Sequence, residues 1–329
     1  MSTRAQVLVH SSQFPGRVRA DLLESLRSRR VNHKFHYDSV KQTRKWLALH
    51  QAYSPSRTDA ECSATYERGF QGALARITSG AVHLVGLGCG GGQKDARMLA
   101  GLRRAGRSAT YTPSDVSVAM VLVARETAAM PEADCHPLVC DLGTAEDLPA
   151  VLDEIEAAGS ARGATRLVTF FGMIPNFDQG LILQRLSGLL RPSDLLLFSA
   201  NLAPGPDYAA GVEKILPLYD NDLTRDWLMT FLLDLGAEKG DGEPRFSIEE
   251  DAGGLRRVAA WFHFQRARTI LVDEECFEFK AGDRIRLFFS YRHTVEKVRD
   301  MLAACRIEVR DQWITASEEE GVFLCVKTP

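Results

Sequence analysis

Two aspartates, Asp115 and Asp141, each close a short apolar run, and both follow a glycine-rich turn, Gly86-Leu87-Gly88-Cys89-Gly90-Gly91-Gly92. Glycines let the main chain turn tightly and come close to a ligand with no side chain in the way. The free N–H groups at the start of a following helix favour polar or anionic ligand groups. A carboxylate at the end of the next strand reaches the two hydroxyls of a bound ribose, which suits Asp115. A carboxylate one strand further on, Asp141, falls at the rim where an adenine ring would lie. The glycine pattern does not by itself separate a dinucleotide from S-adenosylmethionine. Asp141 favours the methyl donor, against the plainer reading of a helix-capping or surface aspartate.

These residues need a strand-turn-helix scaffold, and the chain supplies one. Val82-His83-Leu84-Val85 reads as a strand entering the turn, and Ala109 to Asp115, Pro137 to Cys140, Arg166 to Phe171 and Asp194 to Ser199 read as four more. Their nearly unbroken apolar character is what a strand buried on both faces needs. Between them, Leu148, Val151, Leu152 and Ile155 form a helical stripe. Thr144 and Asp147 have capping-box spacing before it, and Gly159 stands at its stop. From about 80 to 202 this alternation predicts a parallel sheet covered on both faces.

Residues 1 to about 75 read as helical, around Arg19 to Leu26 and Lys41 to His50. After Ala203-Pro204-Gly205-Pro206 the regime changes to helices over Tyr208 to Leu218 and Leu223 to Leu235. Gly236 to Gly254, rich in charge and glycine, reads as an exposed loop. Strand-like runs follow at Leu255 to Phe264, Arg268 to Phe279 and Arg284 to Tyr291, predicting an antiparallel sheet; a helix over Thr294 to Ala304 and a terminal strand over Gly321 to Lys327 close the chain.

Composition narrows the function classes. The 329 residues, 45% of them hydrophobic, are enough for one large or two ordinary domains. A net charge of −3 gives no electrostatic reason to expect nucleic acid or an anionic membrane as partner. No apolar run is long enough to span a bilayer, and the polar start lacks a secretory signal, so the expected location is cytoplasmic. The seven cysteines are odd in number and never spaced as CxxC, which fits reduced thiols. His33 and His36 can share one face of a turn, but no acidic or cysteine partner stands at ligand spacing, so no metal is expected.

Taken in register, these stretches resemble the histidine-specific methyltransferases, typified by the L-histidine Nα-methyltransferase of ergothioneine biosynthesis. The similar segments are Phe35-His36-Tyr37-Asp38, the turn around Tyr53, Pro55, Arg57 and Thr58, Leu87-Gly88-Cys89-Gly90 with Lys94, Pro113-Ser114-Asp115, Phe171-Gly172-Met173-Ile174-Pro175-Asn176, Tyr219-Asp220, and Phe289-Ser290-Tyr291-Arg292. The resemblance implies an α/β fold: a Rossmann-like class I methyltransferase domain over 75–202, and a second α+β substrate domain formed jointly by 1–74 and 203–329. It places S-adenosylmethionine at Gly88, Gly90, Lys94, Asp115, Asp141 and Leu142. It places an amino-acid head at Asn176 and Tyr219, beside Gly172, and a side-chain pocket at Tyr53, Ala260, Phe288 and Ser290. Tyr37 falls near the reacting amine, where it or a water would take the proton.

The chain departs from the family at three points. The match at Asn176 needs a one-residue gap, and the acid expected before the first glycine of the loop is Gly86. The glutamate that would grip an imidazole is Phe288, and a nearby methionine is Ala260. Leaving the imidazole N–H unpaired costs about 1–3 kcal/mol, so histidine should bind poorly. The expected activity is methyl transfer from S-adenosylmethionine to the α-amino group of an amino acid or related small amine, with an apolar or aromatic side chain selected. The alternatives are a genuine L-histidine Nα-methyltransferase, a nicotinamide-dependent oxidoreductase, and a binding protein that has lost turnover. A monomer is the expected state.

Overall fold

The computed structural model describes residues 5–158 and 163–328. The amino-terminal segment holds β1 (Leu8–Val9), α1 (Pro15–Arg27), α2 (Val40–Tyr53), α3 (Pro55–Thr58) and α4 (Ala60–Arg76). The alternating segment holds β2 (Ala81–Leu87), α5 (Gln93–Arg104), β3 (Ser108–Asp115), α6 (Val118–Ala128), β4 (Leu138–Val139), α7 (Leu148–Ala158), β5 (Thr165–Phe170), α8 (Gln179–Leu189) and β6 (Leu195–Asn201). The remainder holds α9 (Tyr208–Tyr219), α10 (Asp222–Asp234), β7 (Gly242–Glu250), β8 (Arg256–Phe264), β9 (Arg268–Val272), β10 (Glu275–Phe279), β11 (Arg284–Tyr291), α11 (Val295–Ala304), β12 (Ile307–Ile314) and β13 (Glu320–Lys327).

Among the described residues the large sheet runs β1-β4-β3-β2-β5-β6-β13-β12. Neighbours from β1 to β6 pair in parallel, while β13 pairs antiparallel with β6 and with β12. Both faces are covered, as the apolar strands require. Leu152 of α7, Leu186 of α8 and Leu302 of α11 pack into one core; Phe70 of α4 and Leu99 of α5 pack into another. The chain moves outward in one direction from β2 to β3 and in the other to β5. The cleft beyond the carboxyl ends of these strands is therefore the topological switch point of the sheet, where ligands of open α/β folds bind.

A third core joins Leu26 of α1, Phe35, Leu228 of α10 and Phe262 of β8 around the antiparallel sheet β11-β8-β7. Chain segments from both sides of the alternating region thus share one interior. The carboxyl-terminal end does not follow them: β12 and β13 extend the large sheet.

Three local expectations need correction. The stretch 236–254 is not all loop, because Gly242–Glu250 pairs along its length with β8. Its polar composition belongs to an edge strand whose alternate side chains face solvent. The run Arg268 to Phe279 is a hairpin broken at Asp273, which adopts a φ of 52°. The capping box before α7 does not form: the Thr144 hydroxyl donates to the Asp141 carbonyl, and the Asp147 carboxylate pairs with His10 at 2.8 Å. Gly159, expected at the end of that helix, lies outside the described residues.

Candidate active site

Strand β2 delivers the chain into the glycine turn with Gly88 at a φ of 61° and Gly90 at 52°, conformations that favour glycine. A Cβ at Gly88 would also lie 2.4 Å from Met173 Sδ, so the turn is closed against the loop after β5. Beside it, β3 ends in Asp115. Its carboxylate accepts the backbone N–H of Gly90 at 3.2 Å and of Ser117 at 3.1 Å. Burial pushes its pKa up to about 6 against the pull of those N–H groups. Each carboxylate oxygen keeps lone pairs free for ligand hydroxyls.

Lys94, in the first turn of α5, donates from Nζ to the Tyr66 hydroxyl at 2.9 Å and lies 4.0 Å from that ring's centroid. Burial lowers its pKa, and the negative charge of Glu320 opposes the shift. Tyr66 in turn donates to Glu320 on β13, so the carboxyl-terminal strand reaches the same wall.

A cavity of about 450 Å³ opens from the glycine turn toward β11. It is lined by Gly88, Gly90, Lys94, Asp115 and Leu142 around the glycine turn and the ends of β3 and β4, and also by Tyr37, Tyr53, Gly172, Asn176, Tyr219, Phe288 and Ser290. Segments far apart in the chain therefore meet around one space. At the far end Tyr219 Oη lies 2.8 Å from Ser290 Oγ and accepts from Arg292 Nη2 at 2.9 Å. Asn176 Nδ2 donates to the Phe289 carbonyl at 2.7 Å, tying the loop after β5 to β11.

Two expected residues stand elsewhere. Asp141 is turned from the cavity: its carboxylate accepts the Gly143 N–H at 2.9 Å and faces the Lys34 ammonium at 3.4 Å. Lys34, paired with Asp21 at 2.5 Å, also faces that side chain, and the cavity at the end of β4 is lined by Cys140 and Leu142 instead. Ala260 is fully buried within β8, paired in register with Phe288. Its methyl group is covered in the core it shares with Trp227 and Phe288, and it does not line the cavity.

Several residues missed in the sequence complete the cavity. Trp46 on α2 and Trp227 on α10 line it, and with Tyr37 and Phe288 they form a continuous aromatic wall. Ring centroids are 5.9 Å apart for Tyr37 and Trp46, 5.5 Å for Tyr37 and Trp227, and 5.9 Å for Trp227 and Phe288. Both tryptophans lie in helical segments, where helix periodicity reads them as core. Asp95, one residue beyond Lys94, was also missed. It lines the cavity while accepting the Thr169 and Tyr111 hydroxyls, each at 2.8 Å. Nothing in the spacing singled it out, because its position depends on the space left by Gly86.

Tyr37 is less suited to remove a proton than the sequence reading had it. Burial raises its pKa, and the neighbouring charge of Asp115 raises it further, so the phenol stays protonated.

The residues fit S-adenosylmethionine: a glycine turn that leaves room for a ligand to approach the backbone, a partly buried carboxylate at the end of β3, and a single cavity lined both by the glycine turn and by β11. A family model described as histidine-specific, S-adenosylmethionine-dependent methyltransferase matches residues 18–327. No curated protein sequence matches the chain significantly. Among solved structures the chain is similar to the CcbJ methyltransferase of Streptomyces caelestis, at 14% identity over 79% of this chain and 90% of that one, with a TM-score of 0.39. It is also similar to the 1,6-didemethyltoxoflavin-N1-methyltransferase of Burkholderia thailandensis, solved with S-adenosylhomocysteine: 13% identity over 87% and 91% of the two chains, TM-score 0.39. A methyltransferase of Bacteroides fragilis, also holding S-adenosylhomocysteine, shares 12% identity over 79% and 77%, TM-score 0.37.

Proposed function

Since the chain belongs to the histidine-specific, S-adenosylmethionine-dependent methyltransferase family, we propose that it methylates the α-amino nitrogen of an amino acid or related small amine whose side chain is apolar or aromatic. The observation that carries the side-chain preference is Phe288. Its ring lines the cavity, flanked by Trp227 and by Tyr219, whose centroid is 5.9 Å away. This is the position at which the resemblance calls for a glutamate.

When bound, S-adenosylmethionine would supply an electrophilic methyl carbon on a sulfonium; the acceptor ammonium would first give a proton to solvent water, and its nitrogen would form the new bond as the sulfur–carbon bond breaks. The chain's part is to present a neutral nitrogen in line. Asn176, Tyr219 and Ser290 form a polar patch that can hold the carboxylate and amine end of the acceptor. Tyr37, as a protonated phenol, accepts an amine N–H on its oxygen and leaves the nitrogen lone pair free to face the donor. Thus Tyr37 orients rather than deprotonates. The aromatic wall excludes water from the side-chain end and offers flat faces for stacking.

The test is mass spectrometry of a panel of amino acids incubated with S-adenosylmethionine. A 14-dalton gain is expected on apolar or aromatic amino acids and little on histidine. Phe288→Glu should raise histidine turnover relative to the wild type. Histidine as the best acceptor of the wild-type chain would overturn the proposed side-chain preference.

A further inference from the structure

Asp95 and Lys94 are consecutive, opposite in charge, and both line the cavity next to the glycine turn. Neither has a counter-ion at salt-bridge distance among the described residues. Asp95 is 3% exposed and is bonded to two neutral hydroxyls, those of Tyr111 and Thr169. The one hydrogen bond of the Lys94 ammonium among the described residues goes to the Tyr66 hydroxyl. A carboxylate has about four acceptor sites and an ammonium three donors, so both groups retain capacity. Burying charge without a partner is costly, and a ligand carrying the opposite pair removes that cost.

S-adenosylmethionine carries such a pair in its amino-acid head. We infer that Asp95 binds the amino group of that head, with Lys94 beside it facing the carboxylate; this rests on the methyl donor occupying the cleft. The backbone is built around this carboxylate. Gly86 sits on β2 between Pro113 of β3 and Thr169 of β5, and a Cβ there would lie 2.1 Å from Asp95 Oδ2. The α5 side chain therefore occupies the space of a side chain on the strand. The acid that the resemblance led us to expect at position 86 is supplied from the helix, and glycine on the strand is the condition for it. Asp95 is a cofactor-binding residue in this account, with no part in moving a proton.

The alternative is that Asp95 only ties α5 to β3 and β5 through Tyr111 and Thr169. Titration calorimetry with S-adenosylhomocysteine, and with its analogue lacking the amino group, separates the two. The wild type should bind S-adenosylhomocysteine about 10- to 100-fold more tightly than the analogue, the scale of a charge-assisted hydrogen bond. Asp95→Asn should bring the two affinities together by weakening S-adenosylhomocysteine alone. The double variant Gly86→Asp with Asp95→Ala returns a carboxylate to the same space from the strand, and should restore a preference of about tenfold. Equal affinities in the wild type, or an equal loss for both ligands in Asp95→Asn, would overturn the assignment. If Asp95→Asn does not fold, the wild-type comparison and the double variant still decide. Failure of the wild type to bind either ligand would overturn the occupancy of the cleft on which the assignment rests.

Discussion

At the amino ends of β2 and β5, a buried Glu156 carboxylate accepts from His83 Nδ1 at 2.8 Å, Arg166 Nε at 2.8 Å and Arg191 Nη2 at 2.6 Å. At the carboxyl ends of the same sheet, the buried Asp95 and the partly buried Asp115 accept only from hydroxyls and backbone N–H groups. The titration of the two groups diverges accordingly. Burial would raise Glu156, but its bonds to His83, Arg191 and Arg166 outweigh that and hold it at about 2. Burial dominates at the cleft and pushes both aspartates to about 6. One end of the sheet satisfies its charges internally and serves the fold; the other leaves them without a counter-ion, which is what the proposed cofactor assignment uses.

Substitutions that remove one charge from each end test this contrast. Glu156→Gln leaves the buried Arg166 guanidinium without its main partner, which should cost about 3 kcal/mol of stability and lower the melting temperature by several degrees, with S-adenosylhomocysteine affinity unchanged. Asp115→Asn should do the reverse. Thermal stability should hold or rise, because a partly buried charge without a counter-ion is removed. The affinity for S-adenosylhomocysteine should fall about 10- to 100-fold as the ribose loses a charged acceptor. A large loss of stability in Asp115→Asn with affinity intact would erase the distinction.

Acidification should sharpen the contrast further. A carboxylate raised to about 6 is protonated more readily in the folded chain than in the unfolded one, so Asp95 and Asp115 make the ligand-free protein less stable as pH climbs from about 4 to 6. Glu156, depressed to about 2, contributes its full stability above the usual carboxylate range and loses it progressively as pH falls from that range to about 2. In the proposed assignment, cofactor binding needs the cleft carboxylates ionised. Calorimetric affinity for S-adenosylhomocysteine should therefore decline below about pH 6, by up to about tenfold per unit for each carboxylate that must lose its proton. Affinity unchanged down to pH 5 would show that neither carboxylate meets the ligand in its charged form.

The cofactor end was readable because its constraints are local. A glycine turn, an apolar strand and an acid at the next strand end lie within about thirty residues, from Val85 to Asp115, and each has a sequence-level signature. The acceptor end draws on α2, the loop after β5, α9, α10 and β11, and only the family resemblance brought Tyr37, Asn176, Tyr219 and Phe288 into one list. Trp46 and Trp227 stayed hidden, since a tryptophan on a helix face looks the same whether it meets a core or a cavity. Asp95 was invisible for a different reason: its role is defined by the missing side chain at Gly86. Asp141 and Ala260 show the converse. Each sits beside residues that line the cavity, yet Lys34 faces one carboxylate, and the short methyl of the other, on the same sheet face as its partner Phe288, is covered by larger side chains. The edge strand β7 was lost among its charges, which face solvent instead of marking a loop.

The smallest expected effect probes whether the two halves of the cavity act separately. Tyr219 is half-buried, and its hydroxyl is shared between Ser290 and Arg292, remote from the glycine turn along the cavity wall. Tyr219→Phe keeps the ring against Phe288 and deletes the oxygen alone. Such a hydrogen bond contributes about 1 kcal/mol net, so KM for the acceptor should rise about fivefold, with kcat nearly unchanged and S-adenosylhomocysteine affinity the same as wild type. If that affinity falls along with acceptor binding, the hydroxyl is shaping the cofactor end as well. The polar patch of Tyr219, Ser290 and Arg292 would then have to be treated as part of one continuous site rather than as an acceptor grip placed against a preformed cofactor cleft.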